Sequence, residues 1–192
     1  MTRRWSFVAV LLAAAAATAC VRTPAQRIKD VQRSVQADRQ PDKLVERGKL
    51  FAALGDENRA SQYFSAALDN GADTKKVLPL LLQSYIVSKR YRVAIDVGKN
   101  YLQKDPEDYH LRYLVGTLYA AIGDTSDART QFEQVLVTKP EHAQAHYALA
   151  VLLRDSDNDW VKADYHFRQY LELAPRGPHA EEARASLLKK VP

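Results

Sequence analysis

The residues best suited to bind a metal are two histidines in the C-terminal half of the chain. His142 and His146 are four residues apart, a spacing that would place both imidazoles on one face of a helix. A zinc protease motif requires a glutamate directly after its first histidine, but this chain has Ala143 there, and no third ligand is evident nearby. We therefore predict no metal site at these histidines.

Three aspartates at alternate positions could bind calcium. Asp155, Asp157 and Asp159 match the first three ligand positions of a calcium-binding loop. Trp160 stands where that loop needs its glycine, and His166 stands where it needs a bidentate glutamate. We interpret the segment as a polar turn between two helices.

The single cysteine follows a segment that is typical of an export signal. One cysteine excludes an intramolecular disulfide and a multi-cysteine zinc site. Arg3 and Arg4 precede an apolar run over residues 5–17, and small residues at 17–19 lead directly to Cys20. The run is too short to cross a bilayer, which takes about 20 apolar residues. We predict a signal peptide over residues 1–19.

The position of Cys20 resembles the processing motif of bacterial lipoproteins, in which the cysteine is acylated and becomes the new first residue. Ala17 occupies the position where leucine is usual. The resemblance implies that acylated Cys20 binds a lipid bilayer. Val21 and Arg22 follow, without the aspartate that favours retention at the inner membrane, so the periplasmic face of the outer membrane is expected. The alternative is ordinary secretion into the periplasm with an incidental cysteine.

The composition limits the class of function. A chain of 192 residues with 46% hydrophobic and 27% charged residues is ordinary for one soluble domain. Loss of Arg3 and Arg4 with the signal lowers the formal net charge from +5 to +3, too little to favour nucleic acid. The sequence has no glycine-rich phosphate loop and no Ser/His/Asp or Cys/His arrangement. We predict no enzyme, no cofactor and no small-molecule substrate.

The elements that would position any site are helix pairs that recur every 34 residues. In the stretch from Tyr109 to Pro140, Gly123 and Asp124 separate two helical patterns. Further copies place small residues at Gly48, Gly116 and Ala150, alanines at Ala60, Ala94, Ala128 and Ala163, and large residues at Phe64, Phe132 and Phe167. Such a short hairpin cannot bury its own apolar face, so the copies must stack.

This register resembles the tetratricopeptide repeat family, whose 34-residue unit has small residues, aromatics and a closing proline at these offsets. The second copy departs from the pattern, with Leu82 and Gly98 where glycine and phenylalanine are expected. The resemblance implies an all-α fold, a right-handed α-solenoid of about four helix hairpins. The expected parts are a lipid-anchor tether with a short helix over 20–40, repeats over about 41–74, 75–108, 109–142 and 143–176, and a capping helix over 177–192.

In the resembled fold, the first helices of successive hairpins line a concave groove that binds protein segments. The positions predicted to contact a partner are Lys49, Gln83, Tyr113, Thr117, Tyr147 and Val151. The two tyrosines are the expected anchors, because each offers a large apolar face and one hydroxyl. The alternative is that both tyrosines pack between adjacent repeats. The family's lysine-and-asparagine clamp for carboxyl-terminal peptides is absent, and Pro79 holds a lysine position of that clamp.

The second and third copies carry charge of opposite sign. Residues 75–104 contain seven basic residues and one acidic residue, whereas residues 105–138 contain six acidic and two basic residues. A dipolar surface of this kind would steer an acidic partner or lipid headgroups to the second copy. The alternative is that these charges are simply solvated outer faces.

Together these features favour a protein-interaction module in the bacterial cell envelope. One function is that of a lipid-anchored assembly factor, similar to the repeat-containing pilotin lipoproteins that bring a secretin or type IV pilus component to the outer membrane. The other is that of a structural adaptor, like the repeat lipoproteins of outer-membrane protein insertion or cell-wall synthesis. Residues 175–183 resemble inter-repeat linkers of that second group. The sequence leaves both functions open.

Overall fold

The computed structural model describes residues 39–189, and every regular element in that range is an α-helix. The predicted signal peptide, Cys20 and nearly all of the predicted tether over 20–40 lie outside the described residues. Within residues 39–189, no helix combines the length and the apolar character needed to cross a bilayer.

The helices pair into four consecutive hairpins and a short final helix. Their bounds are α1 Pro41–Ala53, α2 Glu57–Asp69, α3 Thr74–Val87, α4 Tyr91–Leu102, α5 Tyr109–Ala121, α6 Thr125–Thr138, α7 Ala143–Asp155, α8 Trp160–Leu173 and α9 Ala180–Ala185. The second helix of each hairpin also packs on the first helix of the next, and α9 packs on α8. This arrangement confirms the predicted all-α solenoid of stacked hairpins.

Aspartate side chains start most of these helices. Each accepts a hydrogen bond from a backbone N–H in the first turn, which would otherwise lack a partner. The aspartates that do so are Asp56, Asp73, Asp108, Asp124 and Asp159. The turns inside the first and third hairpins use Gly55 and Gly123 with φ of 75° and 81°, but Lys89 takes the same left-handed conformation in the second hairpin, with φ of 58°.

The hairpins close where glycine on the first helix meets phenylalanine on the second. A Cβ added at Gly48 would lie 2.5 Å from the Phe64 ring, and one added at Gly116 would lie 2.7 Å from the Phe132 ring. The alanines of the repeat register are fully buried beside these contacts: Ala60, Ala94, Ala128 and Ala163. The predicted size pattern therefore reflects real backbone approach.

The second hairpin packs differently. Leu82 is buried at the glycine position, and a Cβ added at Gly98 would lie 2.6 Å from Val115 on α5. The close approach at Gly98 thus joins α4 to the next repeat. The helices α3 and α4 contact each other less than the two helices of any other hairpin. Neighbouring repeats therefore supply most of the packing of the second hairpin.

The capping helix is present but shorter than the predicted segment 177–192. Asp164, which is 3% exposed, accepts a hydrogen bond from the Leu188 backbone N–H at 2.8 Å. Arg168 pairs with the same carboxylate and donates to the Leu188 carbonyl. Backbone hydrogen bonds to the last turn of α9 thus hold Ser186 and Leu187, and the side chains of Asp164 and Arg168 hold Leu188.

Candidate functional site

The predicted groove positions lie on α1, α3, α5 and α7, the first helices of the four hairpins. Lys49, Gln83 and Thr117 are exposed, and Val151 is half-buried. Lys49 pairs with Glu46 on its own helix at 2.9 Å. Because these side chains recur at the repeat period on stacked helices, they form one row along the solenoid.

Tyr113 is half-buried between the third and fourth repeats. The centroid of its ring lies 5.6 Å from that of Phe132 and 4.9 Å from that of His142. Burial raises the pKa of the Tyr113 hydroxyl. The ring therefore packs between repeats and keeps part of its surface open to solvent.

Tyr147 is engaged by the C-terminal segment. Its ring stacks on His179 with centroids 4.0 Å apart, and its hydroxyl donates to the Glu182 carboxylate at 2.5 Å. Burial, together with that hydrogen bond, raises the pKa of Tyr147 to about 12. The hydrogen bond from Tyr147 in turn lowers the pKa of Glu182. A partner segment at Tyr147 would have to compete with these contacts, and the anchoring role of this tyrosine stays a prediction.

Arg154 of α7 also forms hydrogen bonds with α9 and its C-cap residue. Its guanidinium donates to Glu182 at 3.2 Å and to the Ser186 hydroxyl at 2.7 Å. It also pairs with Asp155 and lies 5.4 Å from the centre of the Phe167 ring. The last repeat and the cap therefore form one hydrogen-bonded unit.

A pocket of about 830 Å³ lies between α3, α5 and the loop that joins α4 to α5. We call it the α3–α5 pocket. Its apolar lining comprises Leu68, Leu78, Pro79, Leu82, Tyr101, Tyr109, Leu111 and Leu114, and its polar lining includes Lys75, Lys104, Asp105, Glu107, Asp108 and His110. None of the six predicted groove residues lines it, but Pro79 and Tyr109, one helical turn before Gln83 and Tyr113, do.

The second repeat, which supplies the α3 wall of the pocket, is irregular at two positions. Pro79 is inside α3 and has no N–H, so the Lys75 carbonyl one turn earlier lacks its usual helical donor. Gly98 on α4 stands where the other repeats have phenylalanine, but Val115 on α5 occupies the space beside it, and Gly98 does not line the pocket. The sequence analysis names Pro79 and Gly98 but not Tyr101 and Tyr109, which line the pocket. The irregular second repeat is the feature of the sequence that could have indicated them.

The two histidines considered as metal ligands do not converge. The predicted placement of both on one helical face is wrong, because His142 precedes α7 as its N-cap and its Nδ1 accepts from the Ala145 N–H at 3.1 Å. His146 instead pairs with His166 on α8, with their Nδ1 atoms 2.9 Å apart, and its Nε2 lies 2.9 Å from the Pro140 carbonyl. Since a carbonyl only accepts, neutral His146 carries its proton on Nε2 and accepts at Nδ1 from His166. Burial and the neighbouring His146 lower the pKa of His166 to about 4.

The three aspartates considered as calcium ligands have separate partners. Asp155 pairs with Arg154, Asp157 with Arg129, and Asp159 caps α8. In the described part of the chain, no group of three or more His, Cys, Asp or Glu side chains is arranged to hold a metal ion.

Comparison with known proteins supports the repeat assignment. Residues 85–152 match the model of the tetratricopeptide repeat family. A 70-residue stretch is 34% identical to a tetratricopeptide repeat and J domain-containing co-chaperone, DNJ1, of Cryptococcus neoformans var. grubii. That stretch is 36% of this chain and only 13% of the co-chaperone.

Solved structures share the fold at low sequence identity. A tetratricopeptide repeat protein from Parabacteroides merdae superposes with a TM-score of 0.67 at 20% identity, over 76% of this chain and 58% of its own. YrrB, described as a TPR protein with an unusual peptide-binding site, gives 0.64 at 17% identity over 83% of this chain and 86% of its own. MamA gives 0.63 at 18% identity over 84% and 90%. These structures show the fold: the described part of this chain is an α-solenoid of stacked helix hairpins, and residues 85–152 within it match the tetratricopeptide repeat model.

Proposed function

We propose that this chain is a protein-binding module whose first-helix groove takes an extended segment of a partner protein. Acylated Cys20 would hold the module on the periplasmic face of the outer membrane. There it would act as an assembly factor or scaffold for an envelope complex, of the pilotin type that serves secretin or type IV pilus assembly. No catalytic role is proposed.

The observation that carries the binding role is the α3–α5 pocket, an apolar recess whose walls include exposed Pro79 and half-buried Tyr109 and Leu114, close to the groove positions Gln83 and Tyr113. YrrB, with a similar fold, is described as having an unusual peptide-binding site, which supports the same kind of ligand. The membrane role rests on the sequence alone. Acyl chains contribute about 0.8 kcal/mol per buried methylene, so two of them suffice for stable anchoring.

The test is affinity capture with the tagged full-length chain from detergent-solubilised envelopes of cells that express it. Secretin or pilus-assembly subunits among the captured proteins would support the pilotin-type function. Barrel-insertion or cell-wall enzymes would instead support the structural adaptor.

A groove variant, Gln83→Arg/Thr117→Arg, should lose the captured protein. Its matched control is Gln62→Arg/Gln134→Arg, which adds the same charge at exposed positions on the second helices α2 and α6. Equal capture by both variants would place the interface outside the groove.

A further inference from the structure

We infer that the α3–α5 pocket takes one large apolar side chain from a partner segment that carries an acidic residue on one flank and a basic residue on the other. The inference rests on the proposed function and specifies the segment that the groove would bind.

The apolar side chain follows from the walls of the pocket. Leu78, Leu82 and Leu111 are buried and Leu114 is half-buried, and none of these side chains can form a hydrogen bond. A polar group placed among them would lose its hydrogen bonds to water without replacement. An aliphatic or aromatic side chain would remove from water both its own surface and the exposed surface of Pro79, Tyr109 and Leu114.

The flanking charges follow from the mouth of the pocket. Lys75 is exposed in the first turn of α3, and Asp105 and Glu107 are exposed on the loop before α5. Between residues 39 and 189, none of these three forms an ion pair. The Lys104 ammonium, by contrast, lies over the Tyr101 ring at 5.1 Å. The mouth therefore offers a positive charge on α3 and, on the loop, the carboxylates of Asp105 and Glu107, which outweigh the single positive charge of Lys104.

The wider charge distribution has the same polarity. Residues 75–104 hold seven basic residues and one acidic residue, and residues 105–138 hold six acidic and two basic residues. The sign changes between Lys104 and Asp105, on the loop that lines the pocket. A segment with one charge of each sign would be oriented by this field, whereas a uniformly charged segment would be repelled by one side.

The test uses three synthetic probe peptides of equal length, each with a central phenylalanine. One has a glutamate on one flank and a lysine on the other, one has two glutamates, and one has two lysines. Each is titrated into the isotope-labelled full-length chain, and amide NMR shifts report both affinity and location. We expect the mixed peptide to bind tightest and to shift the amides of Leu78, Leu111 and Leu114. Replacing its phenylalanine by serine should weaken binding by about tenfold or more.

Two pairs of protein variants make the test specific. Thr74→Trp should block the mouth and abolish the preference, whereas Gln144→Trp, exposed in the first turn of α7, should not. Lys75→Glu should shift the preference to the doubly basic peptide. Arg92→Glu, the same charge change at an exposed position of α4 outside the pocket, should keep the preference for the mixed peptide.

Several results would overturn the inference: equal affinity for the three peptides, or the same binding by Thr74→Trp as by Gln144→Trp. Peptides that shift only the amides of Gln83 and Thr117 would also overturn it, and the proposed groove would stand. If no peptide shifts any resonance the inference fails as well, and the proposed function is then judged by the envelope capture alone.

Discussion

The hydroxyl of Tyr147 on α7 donates a 2.5 Å hydrogen bond to the Glu182 carboxylate on α9, 35 residues further along the chain. The His179 ring covers the same tyrosine, so the cap occupies the groove position of the fourth repeat. The exposed groove positions Lys49, Gln83 and Thr117 lie in the first three repeats, and the α3–α5 pocket lies between the second and third.

Removing this hydroxyl should destabilise the cap. We predict that Tyr147→Phe lowers the free energy of unfolding by about 1 kcal/mol, because the hydrogen bond to Glu182 is lost while the ring stack remains. Urea denaturation measures the effect. Tyr165→Phe, at an exposed tyrosine of α8, is the matched control and should change little. Equal midpoints for Tyr147→Phe and the parent would contradict the structural role.

The histidine pair should make stability depend on pH. The pKa of His166 is about 4 in the folded protein, against about 6.5 when unfolded. The folded protein therefore binds a proton at His166 less readily than the unfolded chain does. The contribution of neutral His166 to the free energy of unfolding is complete above about pH 6.5 and is lost as the pH falls towards 4. Allowing for solvent screening, we expect a loss of about 1–2 kcal/mol.

His166→Gln tests this prediction, because glutamine can still donate to His146 but does not titrate. The variant should lose less stability than the parent between pH 6.5 and 4. Since carboxylates also titrate in this range, the quantity to compare is the difference between the two curves. The exposed His110→Gln is the control. Parallel curves for His166→Gln and the parent would show that this pair does not carry the pH dependence.

Glycine in place of Lys89, in the turn of the second hairpin, should stabilise the folded protein. Lys89 has φ of 58°, a conformation that costs an L-residue about 1 kcal/mol and that Gly55 and Gly123 adopt in the equivalent turns. We predict that Lys89→Gly raises the free energy of unfolding by about 0.5–1 kcal/mol, and that Gly123→Lys lowers it by a similar amount. Thermal unfolding of both variants checks the pair. A destabilised Lys89→Gly would mean that the lysine side chain contributes more than its backbone costs.

Cys20 should be the membrane anchor. If it is acylated, Cys20→Ser removes the lipid, and we predict that the protein moves to the soluble periplasmic fraction or accumulates unprocessed. Fractionation and electrophoretic mobility measure both outcomes. A Cys20→Ser protein that stays with the outer membrane at the parental size would exclude the lipoprotein assignment.

Two kinds of variant should affect partner binding differently: loss of the Tyr113 ring should lower affinity, and charge reversal at Arg90 and Arg92 should slow association. Tyr113→Ala should cost about 2 kcal/mol or more of affinity if the exposed part of its ring is a hot spot. Arg90→Glu/Arg92→Glu should mainly slow association and change its salt dependence. Titration and association kinetics with the captured partner measure these effects. Because Tyr113 also packs on Phe132 and His142, unfolding of each variant must first be shown to match the parent. Unchanged affinity in a folded Tyr113→Ala would make this tyrosine a packing residue only.

The features predicted well from sequence are those fixed by local spacing. Ala60, Ala94 and Ala128 recur at the repeat period because the helices of a hairpin have no room for larger side chains there. Gly116 is a small residue of the register and Phe132 a large one, and in the structure they lie against each other. Such contacts depend only on helix geometry and a short turn, so periodicity is sufficient to find them.

The features that escaped prediction depend on relations between repeats. The size of the α3–α5 pocket depends on the distance between the first helices of the second and third repeats. No spacing in the sequence gives that distance. The His146–His166 contact joins α7 to α8 between residues 20 positions apart, outside the repeated pattern. The Tyr147–Glu182 bond depends on where the chain turns back after Pro175. Each is set by tertiary packing of residues that the repeat pattern leaves unconstrained.

The helix α3 belongs to two hydrophobic cores at once. Val77 and Leu81 pack with the first repeat, whereas Leu78 and Leu82 pack with the rest of the solenoid. Because the stability of stacked hairpins is a sum over neighbouring interfaces, the sparse contact between α3 and α4 makes a boundary of cooperativity inside a repeat. Local opening at this boundary would release α1 to α3 from the remaining helices as a separate unit in native-state hydrogen exchange. The α3–α5 pocket spans that boundary, so a bound segment would join the two units and raise the exchange protection of both.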